Sequence, residues 1–525
     1  LDFPVTALPC QSRTPPWFHE QRSGLLFSST STASSGRLIS SVAKIKGWPC
    51  QQDGSSQNDK GIRSGLDLPE DIFWYIHALM PLRDAARAAC VSHAFLQSWR
   101  CYPYLIFSKE VLGLEENAFR EAEITRDLIS KVDHILQRHS GIGVKKLKLD
   151  FLSATNVDSS SIDSWLHRAV TPGIEELTLK LPLDSNAEYS FPCSLLSNRN
   201  ANSIRDLQLS FCAIRSTVDL GCLRTLTTLY LYSVRITGSE LECLLSNSLS
   251  LEWLTMVGCK EIVWLKIPCL LKRLHSLRVN ECKMLKVIES YAPNLSTICF
   301  SGHVVQMLGS LQVKTLKMSC FHQCNILRYA GTKLLCIVPN VEELRISSRA
   351  EIVNTPIVPG KFLCLKRLHI SLGGNAFSPT YDYISLVSFL DASPSLETFV
   401  LIISQDRMKH ASVFGDSAQL RQMPEHRHDT LKKFKIYGFC SAKSLVDLTC
   451  HILETTSSLK RVKLDTSYGY ARCYASGRCY PYYTEQIMEA RNAVLAVETY
   501  IMGKVPPTVK FNLVQPCSRC RALVP

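Results

Sequence analysis

The sequence predicts an α/β fold in which a small helical module precedes a long, curved solenoid of parallel strands. Two observations carry this prediction. Residues 66–100 have the pattern of three short amphipathic helices, and from residue 144 onward an aliphatic-x-x-aliphatic-x-aliphatic hexad recurs thirteen times. A chain of 525 residues could hold several ordinary domains, but a repeat of this extent makes most of it one continuous array.

Composition narrows the class of protein and its partners. Apolar residues make up 46% of the chain and charged residues 20%, as in globular proteins. The net charge of +13 is spread along the chain, so it favours acidic partners without predicting nucleic-acid binding. No apolar run approaches the roughly 18 residues of a membrane span. The 22 cysteines occupy hydrophobic positions, which predicts reduced, buried thiols and a location in the cytoplasm or nucleus.

Residues 1–64 are rich in Ser, Gln, Gly and Pro and carry few repeating apolar positions. We expect a disordered extension there. Its Ser-rich part is weakly similar to an organelle transit peptide, but acidic residues dilute that pattern. Because the chain opens on Leu1 rather than Met, a fragment or an imperfect gene model is the favoured explanation.

The helical module has clear start signals and one apolar face. Pro69 suits a first helical position, and Ile72, Ile76 and Leu79 then repeat at i, i+4 and i+7. Pro81 ends this helix, and a small-residue helix and a third helix follow before residue 100. A module of fewer than about 40 residues rarely folds around its own core. We therefore expect a partner to complete it.

The residues of this module resemble an F-box, the module by which substrate receptors dock onto the small adaptor of a cullin-based ubiquitin ligase. We take residues 65–104 as this F-box; Phe95 stands where the family usually has Trp. The resemblance implies a set of adaptor-binding residues: Leu68, Pro69, Ile72, Ile76, Leu79, Pro81, Leu82, Val91 and Phe95. The alternative is a helical cap on the solenoid. A cap would bury Leu68, Pro69, Ile72 and Ile76, whereas an F-box leaves them exposed.

Residues 105–143 are predicted to be a helical linker, and the hexads occupy residues 144–465. They begin at residues 144, 174, 204, 226, 251, 274, 295, 313, 341, 365, 396, 431 and 459. Each hexad predicts a short strand with one buried face, and the residues between hexads can return as helices to the same sheet edge. One unit cannot bury its own apolar face, so the units stack. This pattern resembles the leucine-rich repeat; the alternative is a doubly wound α/β domain.

Residues 466–525 change character and predict a terminal cap. A helix starts at Thr484, Gly503 is placed where a left-handed terminator is expected, and Val509, Phe511 and Leu513 alternate as a last strand. The segment resembles the FBD region that accompanies F-boxes and leucine-rich repeats in a large plant family. A helix and strand that close an open solenoid are the expected terminal unit.

Residues between the buried leucines of each hexad should project from the concave face, where solenoids usually bind. Basic residues outnumber acidic ones there, and two aromatics lie near the middle. We predict that this face holds an acidic or phosphorylated segment of a target protein, although it could equally be a solvated basic face. The predicted substrate-binding residues are Tyr230, Trp253, Arg278, Lys317, Arg345, Arg367, Lys433 and Lys435.

The sequence predicts neither an enzyme nor a cofactor or metal site. It contains no GxxxxGK[ST], GxGxxG, HExxH or GxSxG motif. Cys517 and Cys520 form a single CxxC, and a zinc site would need about two more ligands, for which Cys473 and Cys479 are weak candidates. His426 and His428 indicate a solvated loop.

The resemblance therefore implies a receptor subunit of a ubiquitin ligase, whose partners are a Skp-type adaptor, a cullin scaffold and an unknown protein substrate. Two alternatives remain open. One is a leucine-rich-repeat scaffold that never meets a ligase. The other is a receptor in which a small molecule under the concave face completes the substrate surface.

Overall fold

The computed structural model describes most of the chain from residue 69 onward. The described residues are 69–114, 121–152, 154, 157–182, 189–196, 201–215, 223–309, 311–320, 323–373, 378, 380–404, 410–415, 420–421, 426–467 and 484–522. The extension predicted at 1–64 and the candidate contact residue Leu68 lie outside this part of the chain.

Twelve α-helices are present in the described residues. They are α1 (Glu70–Leu79), α2 (Leu82–Val91), α3 (His93–Trp99), α4 (Glu121–Arg138), α5 (Ser159–Ala169), α6 (Gly238–Ser246), α7 (Ile326–Tyr329), α8 (Leu335–Ile337), α9 (Val387–Asp391), α10 (Lys443–Thr455), α11 (Thr484–Ala496) and α12 (Ser518–Arg521). Single turns of 3-10 helix lie at Cys193–Leu196, Ala201–Ser203, Tyr383–Leu386 and Met502–Lys504, and π-helical turns at Ala330–Leu334 and Val497–Ile501.

Twenty strands are present in the same residues. They are β1 (Tyr104–Phe107), β2 (Lys146–Asp150), β3 (Glu176–Lys180), β4 (Ser190–Phe191), β5 (Asp206–Ser210), β6 (Ala213–Ile214), β7 (Thr228–Tyr232), β8 (Trp253–Val257), β9 (Trp264–Ile267), β10 (Ser276–Asn280), β11 (Val287–Ser290), β12 (Thr297–Ser301), β13 (Gln306–Gly309), β14 (Thr315–Cys320), β15 (Glu343–Ser348), β16 (Arg367–Leu372), β17 (Thr398–Ile403), β18 (Lys433–Tyr437), β19 (Arg461–Asp465) and β20 (Lys510–Val514).

Fifteen of these strands form one parallel sheet in the order β1-β2-β3-β5-β7-β8-β10-β12-β14-β15-β16-β17-β18-β19-β20. All thirteen predicted hexads lie in it, ranked in chain order, and the predicted solenoid is confirmed. The aliphatic positions pair with one another along the sheet, so that Leu147, Leu177 and Leu207 are lateral neighbours and fully buried. This ladder of leucines is the continuous core that no single repeat could form.

The start of the sheet differs from the sequence prediction, whereas its end agrees with the prediction except at Gly503. The sheet begins at β1, which crosses the boundary between the predicted F-box and linker and is followed by α4, so the described part of the linker contributes a strand as well as the predicted helix. Its other end is β20, which pairs with β19 as the terminal strand predicted from the alternation of residues 509–513. Gly503 is not a left-handed terminator, because it lies in the 3-10 turn Met502–Lys504.

The return segments in the middle of the array are strands rather than the predicted helices. Strands β9, β11 and β13 form a second, three-stranded parallel sheet, and β4 pairs with β6. Only 13 residues separate Ser301, the end of β12, from Thr315, the start of β14. Such a segment is too short for two turns and a helix, so it returns in extended form.

Within the described residues, no helix has both the length and the hydrophobicity needed to span a membrane.

Candidate functional site

The helices α1, α2 and α3 form a segment, here called the three-helix segment, with an exposed apolar face. Ile72 is 41% exposed, Ile76 36%, Leu79 68% and Val91 85%. Pro69 is exposed as well. The helical cap considered from the sequence would have buried Pro69, Ile72 and Ile76. Their exposure instead leaves these aliphatic side chains available to a partner.

The opposite side of the three-helix segment packs on the start of the sheet. Leu82 and Ala85 belong to the continuous hydrophobic core and are at most 5% exposed. Leu82, which the sequence predicted as an adaptor contact, is therefore part of the core and not of the exposed face. Phe95 is half-buried, with its ring edge-on to Phe73 at a centroid distance of 5.6 Å.

The concave face carries the predicted aromatics in adjacent strands. Tyr230 pairs in register with Thr255, and Trp253 pairs with Thr228, so the two rings are diagonal neighbours on one face. Trp253 is 43% exposed and lies edge-on to His275 at 4.6 Å between ring centroids. Tyr230 is half-buried, and burial raises the pKa of its hydroxyl. The pair offers an amphipathic surface suited to anchoring an apolar side chain.

The basic residues of this face fall into two groups. Arg278, Lys317, Lys433 and Lys435 have no acidic partner within 4.0 Å among the described residues. In contrast, Arg345 and Arg367 both contact Glu343, with Nε–Oε distances of 2.6 Å and 2.8 Å. These two arginines are thus already neutralised in part and are weaker candidates for substrate contact than the sequence indicated.

The first end of the concave face is less basic in structure than in sequence. The lysine at 146 pairs with Glu176, and the ammonium groups of Lys148 and Lys180 lie 3.2 Å and 3.3 Å from Asp150. Among the predicted substrate-binding residues, the unpaired positive charge therefore lies on β10, β14 and β18. An anionic segment would be attracted there and not to both ends.

Comparison with known proteins places this fold in a family. The sequence profile described as At1g61320/AtMIF1, LRR domain, matches residues 135–518. The chain belongs to this leucine-rich-repeat family. The match covers the strands of the large sheet from β2 to β20, so it includes the FBD-like terminal strand as well as the repeats.

The leucine-rich-repeat protein is also similar to F-box proteins of Arabidopsis thaliana. It is 26% identical over 200 residues to F-box/LRR-repeat protein At3g58900, covering 37% of this chain and 58% of that one. It is 23% identical over 437 residues to the FBD-associated F-box protein At1g55030, covering 77% and 91%. With FBD-associated F-box protein At1g66310 it shares 26% over 211 residues, covering 39% and 44%.

Two of these three matches span less than two thirds of the relative's own length. Together with the family match, they confirm the predicted plant family that combines an F-box, leucine-rich repeats and an FBD-like region.

The histidine loop of this leucine-rich-repeat protein is not the solvated loop that the sequence indicated. His426 is exposed, but His428 is 9% exposed, and its Nε2 lies 3.5 Å from Asp391 Oδ1. Its ring is edge-on to that of His451 on α10. This burial could not be predicted from the local sequence, because Asp391 and His451 come from other repeats. Cys520 is buried, and Cys473 and Cys479 lie outside the described residues.

Proposed function

We propose that this chain is the substrate-recognition subunit of a cullin-RING, SCF-type ubiquitin ligase. The three-helix segment would dock a Skp-type adaptor, which links it to the cullin scaffold, and the concave face would bind the target protein. The observation that supports this proposal is the exposed aliphatic face of Pro69, Ile72, Ile76, Leu79 and Val91 on a segment whose other side is anchored to the sheet.

Burial of the exposed aliphatic side chains against a partner would contribute to the binding free energy. Burial of a fully exposed Leu or Val gains roughly 1.5–3 kcal/mol, so Leu79 and Val91, with smaller gains from the less exposed Ile72 and Ile76, can supply a substantial part of a binding free energy. The chain itself would form and break no covalent bond. It would raise the effective concentration of the target beside the ubiquitin-carrying partner and set its orientation.

The concave face favours a target segment that carries negative charge. Arg278, Lys317, Lys433 and Lys435 supply cationic groups without acidic partners among the described residues, and Trp253 with Tyr230 supplies an apolar anchor. We therefore propose an acidic or phosphorylated segment as ligand. No disulfide bond joins the cysteines of the described part, which fits a reducing compartment, the cytoplasm or the nucleus.

A binding assay with purified Skp-type adaptor tests the docking role. We expect wild type to bind and Ile76→Ala with Leu79→Ala to lose at least about tenfold in affinity. The control is Ile357→Ala, an equally apolar side chain that is 87% exposed outside the three-helix segment, and it should bind as wild type does. If wild type fails to bind any adaptor of this class, the chain is the interaction scaffold considered from the sequence.

A further inference from the structure

Three side chains from three separate segments meet at the C-terminal end of the array. They are His410 after β17, Cys440 after β18 and Glu489 on α11, and one ligand atom of each lies within 4.8 Å of the other two. The Nε2 atom of His410 is 3.4 Å from Glu489 Oε1. Cys440 is 1% exposed, and the other two side chains are 15% and 22% exposed.

We propose that this triad is a zinc site that fastens the C-terminal helix α11 to the last repeats. Thiolate, imidazole and carboxylate are the usual protein ligands of Zn²⁺, and a thiolate disfavours Mg²⁺ and Ca²⁺. Zinc–ligand distances of about 2.0–2.1 Å at the tetrahedral angle place a nitrogen and an oxygen about 3.3 Å apart. The separation of His410 Nε2 and Glu489 Oε1 matches this value. A water molecule would take the fourth position.

The charges of the triad also fit a divalent cation. A thiolate and a carboxylate with a neutral imidazole carry two negative charges, which Zn²⁺ cancels. A site of zero net charge is much easier to bury than an isolated ion. Without a metal, burial raises the pKa of the Cys440 thiol to about 12, so this group stays protonated at neutral pH. A bound Zn²⁺ would displace that proton.

The surrounding backbone holds the ligands in place. The amide of Ser441 donates to Glu489 Oε1 at 2.6 Å, which fixes the carboxylate as the hydrogen bonds around metal ligands commonly do. The segment that carries His410 is pinned to the one that carries Cys440, because Val413 N–H donates to Ser441 O and Lys443 N–H donates to Ala411 O. Both backbone segments are therefore ordered independently of an ion.

The competing explanation is an ordinary His410–Glu489 ion pair beside an inert thiol. Metal content and a spectroscopic probe of the thiolate distinguish the two. Purified full-length protein, stripped with a chelator and dialysed against ZnCl2, should retain one Zn²⁺ per chain. Loading with Co²⁺ should give a near-ultraviolet thiolate-to-cobalt charge-transfer band, which an ion pair with a free thiol cannot produce.

The variants make the assignment specific to these residues. Cys440→Ser should abolish the cobalt band. Glu489→Gln, at a partly exposed position that is less prone to misfolding, should weaken Zn²⁺ binding by more than the roughly 10-fold to 100-fold that loss of an outer-shell partner costs. Cys320→Ser, which removes another buried thiol of raised pKa, should retain both band and metal. Cys517→Ser with Cys520→Ser should also retain them.

A wild-type chain without stoichiometric zinc, or a cobalt band that survives Cys440→Ser, would overturn the proposal. This site and adaptor docking are independent, because the three-helix segment lies at the other end of the sheet order. Failure of one assay therefore leaves the other proposal standing.

Discussion

The imidazole of His77 joins helix α1 to helix α2, because its Nε2–H donates to the carbonyl oxygen of Ala85 at 2.9 Å. Its Nδ1 lies 2.6 Å from the hydroxyl of Ser98 on α3. One fully buried side chain thus connects all three helices of the segment. Because so small a unit has little apolar mass of its own, these buried hydrogen bonds define how the helices are arranged.

Replacement of this histidine should loosen the three-helix segment. His77→Ala removes the bond partner of the buried Ser98 hydroxyl and one of the two bonds to the Ala85 carbonyl, which still accepts within α2, at a total cost of about 1–3 kcal/mol. We expect amide hydrogen exchange across residues 70–99 to accelerate while exchange in the sheet is unchanged. His93→Ala, at an exposed position of α3, should leave the rates as in wild type. Equal protection in both variants would show that His77 is dispensable.

A second buried histidine should make the start of the array sensitive to acid. The Gly141 amide donates to His139 Nδ1 at 2.9 Å, and His139 Nε2–H donates to the Tyr102 carbonyl at 2.9 Å. This pairing requires a neutral ring, and burial lowers the pKa of His139 below its ordinary value. His139 therefore binds a proton more weakly in the folded state than in the unfolded state, where the pKa of a histidine is about 6.5. The contribution of the neutral His139 ring to the stability of the fold is complete above that pH and is lost as the pH falls below it.

Local hydrogen exchange between pH 7.5 and 5.5, corrected for intrinsic rates, measures this effect. The opening free energy around residues 139–146 should decrease with falling pH in wild type. His139→Gln should lower it at pH 7.5 but flatten its pH dependence. The exposed neighbour provides the control, since His134→Gln should retain the wild-type slope. A slope that is the same in all three proteins would exclude His139 as its origin.

The sequence was sufficient for every strand of the large sheet except β1, but not for contacts between distant repeats. The alternation of apolar and polar residues is complete within each hexad, so a local pattern such as LEWLTM predicted strand β8 and its exposed Trp253 directly. In contrast, the burial of Leu82 depends on how α2 docks on β1, and the burial of His428 depends on Asp391 and α10. Residues 410, 440 and 489 are 30 and 49 positions apart, so no spacing motif joins them. Only stacking of the repeats brings them together.

Glu343 should contribute to stability because it serves two arginines at once. Burial alone would raise its pKa, but the hydrogen bonds from Arg367 and Arg345 outweigh this and hold the pKa below its ordinary value. Glu343→Gln replaces one charged acceptor with an amide and leaves one arginine unmatched. We expect a loss of about 1–2 kcal/mol in the free energy of unfolding, measured with denaturant.

The matched control for that change is the exposed pair of Glu397 and Lys432, whose charged atoms are 2.8 Å apart. Because water screens such a pair, Glu397→Gln should cost no more than about 0.5 kcal/mol. If both variants unfold at the same denaturant concentration, the Glu343 pairing contributes no more than a surface contact.

Two glycines at the end of the array should respond oppositely to alanine. Gly438 has φ 78°, and a Cβ atom there would lie 1.9 Å from the carbonyl oxygen of Ile403 at the end of β17. Gly438→Ala should therefore cost about 2 kcal/mol or more. A Cβ at Gly503 would have no atom within 4 Å, so Gly503→Ala should be neutral or stabilise by about 0.5 kcal/mol. Thermal unfolding of both variants measures the difference. Cys440 lies two residues after Gly438. A Gly438→Ala protein as stable as wild type would mean that the ends of β17 and β18 are not held this closely together.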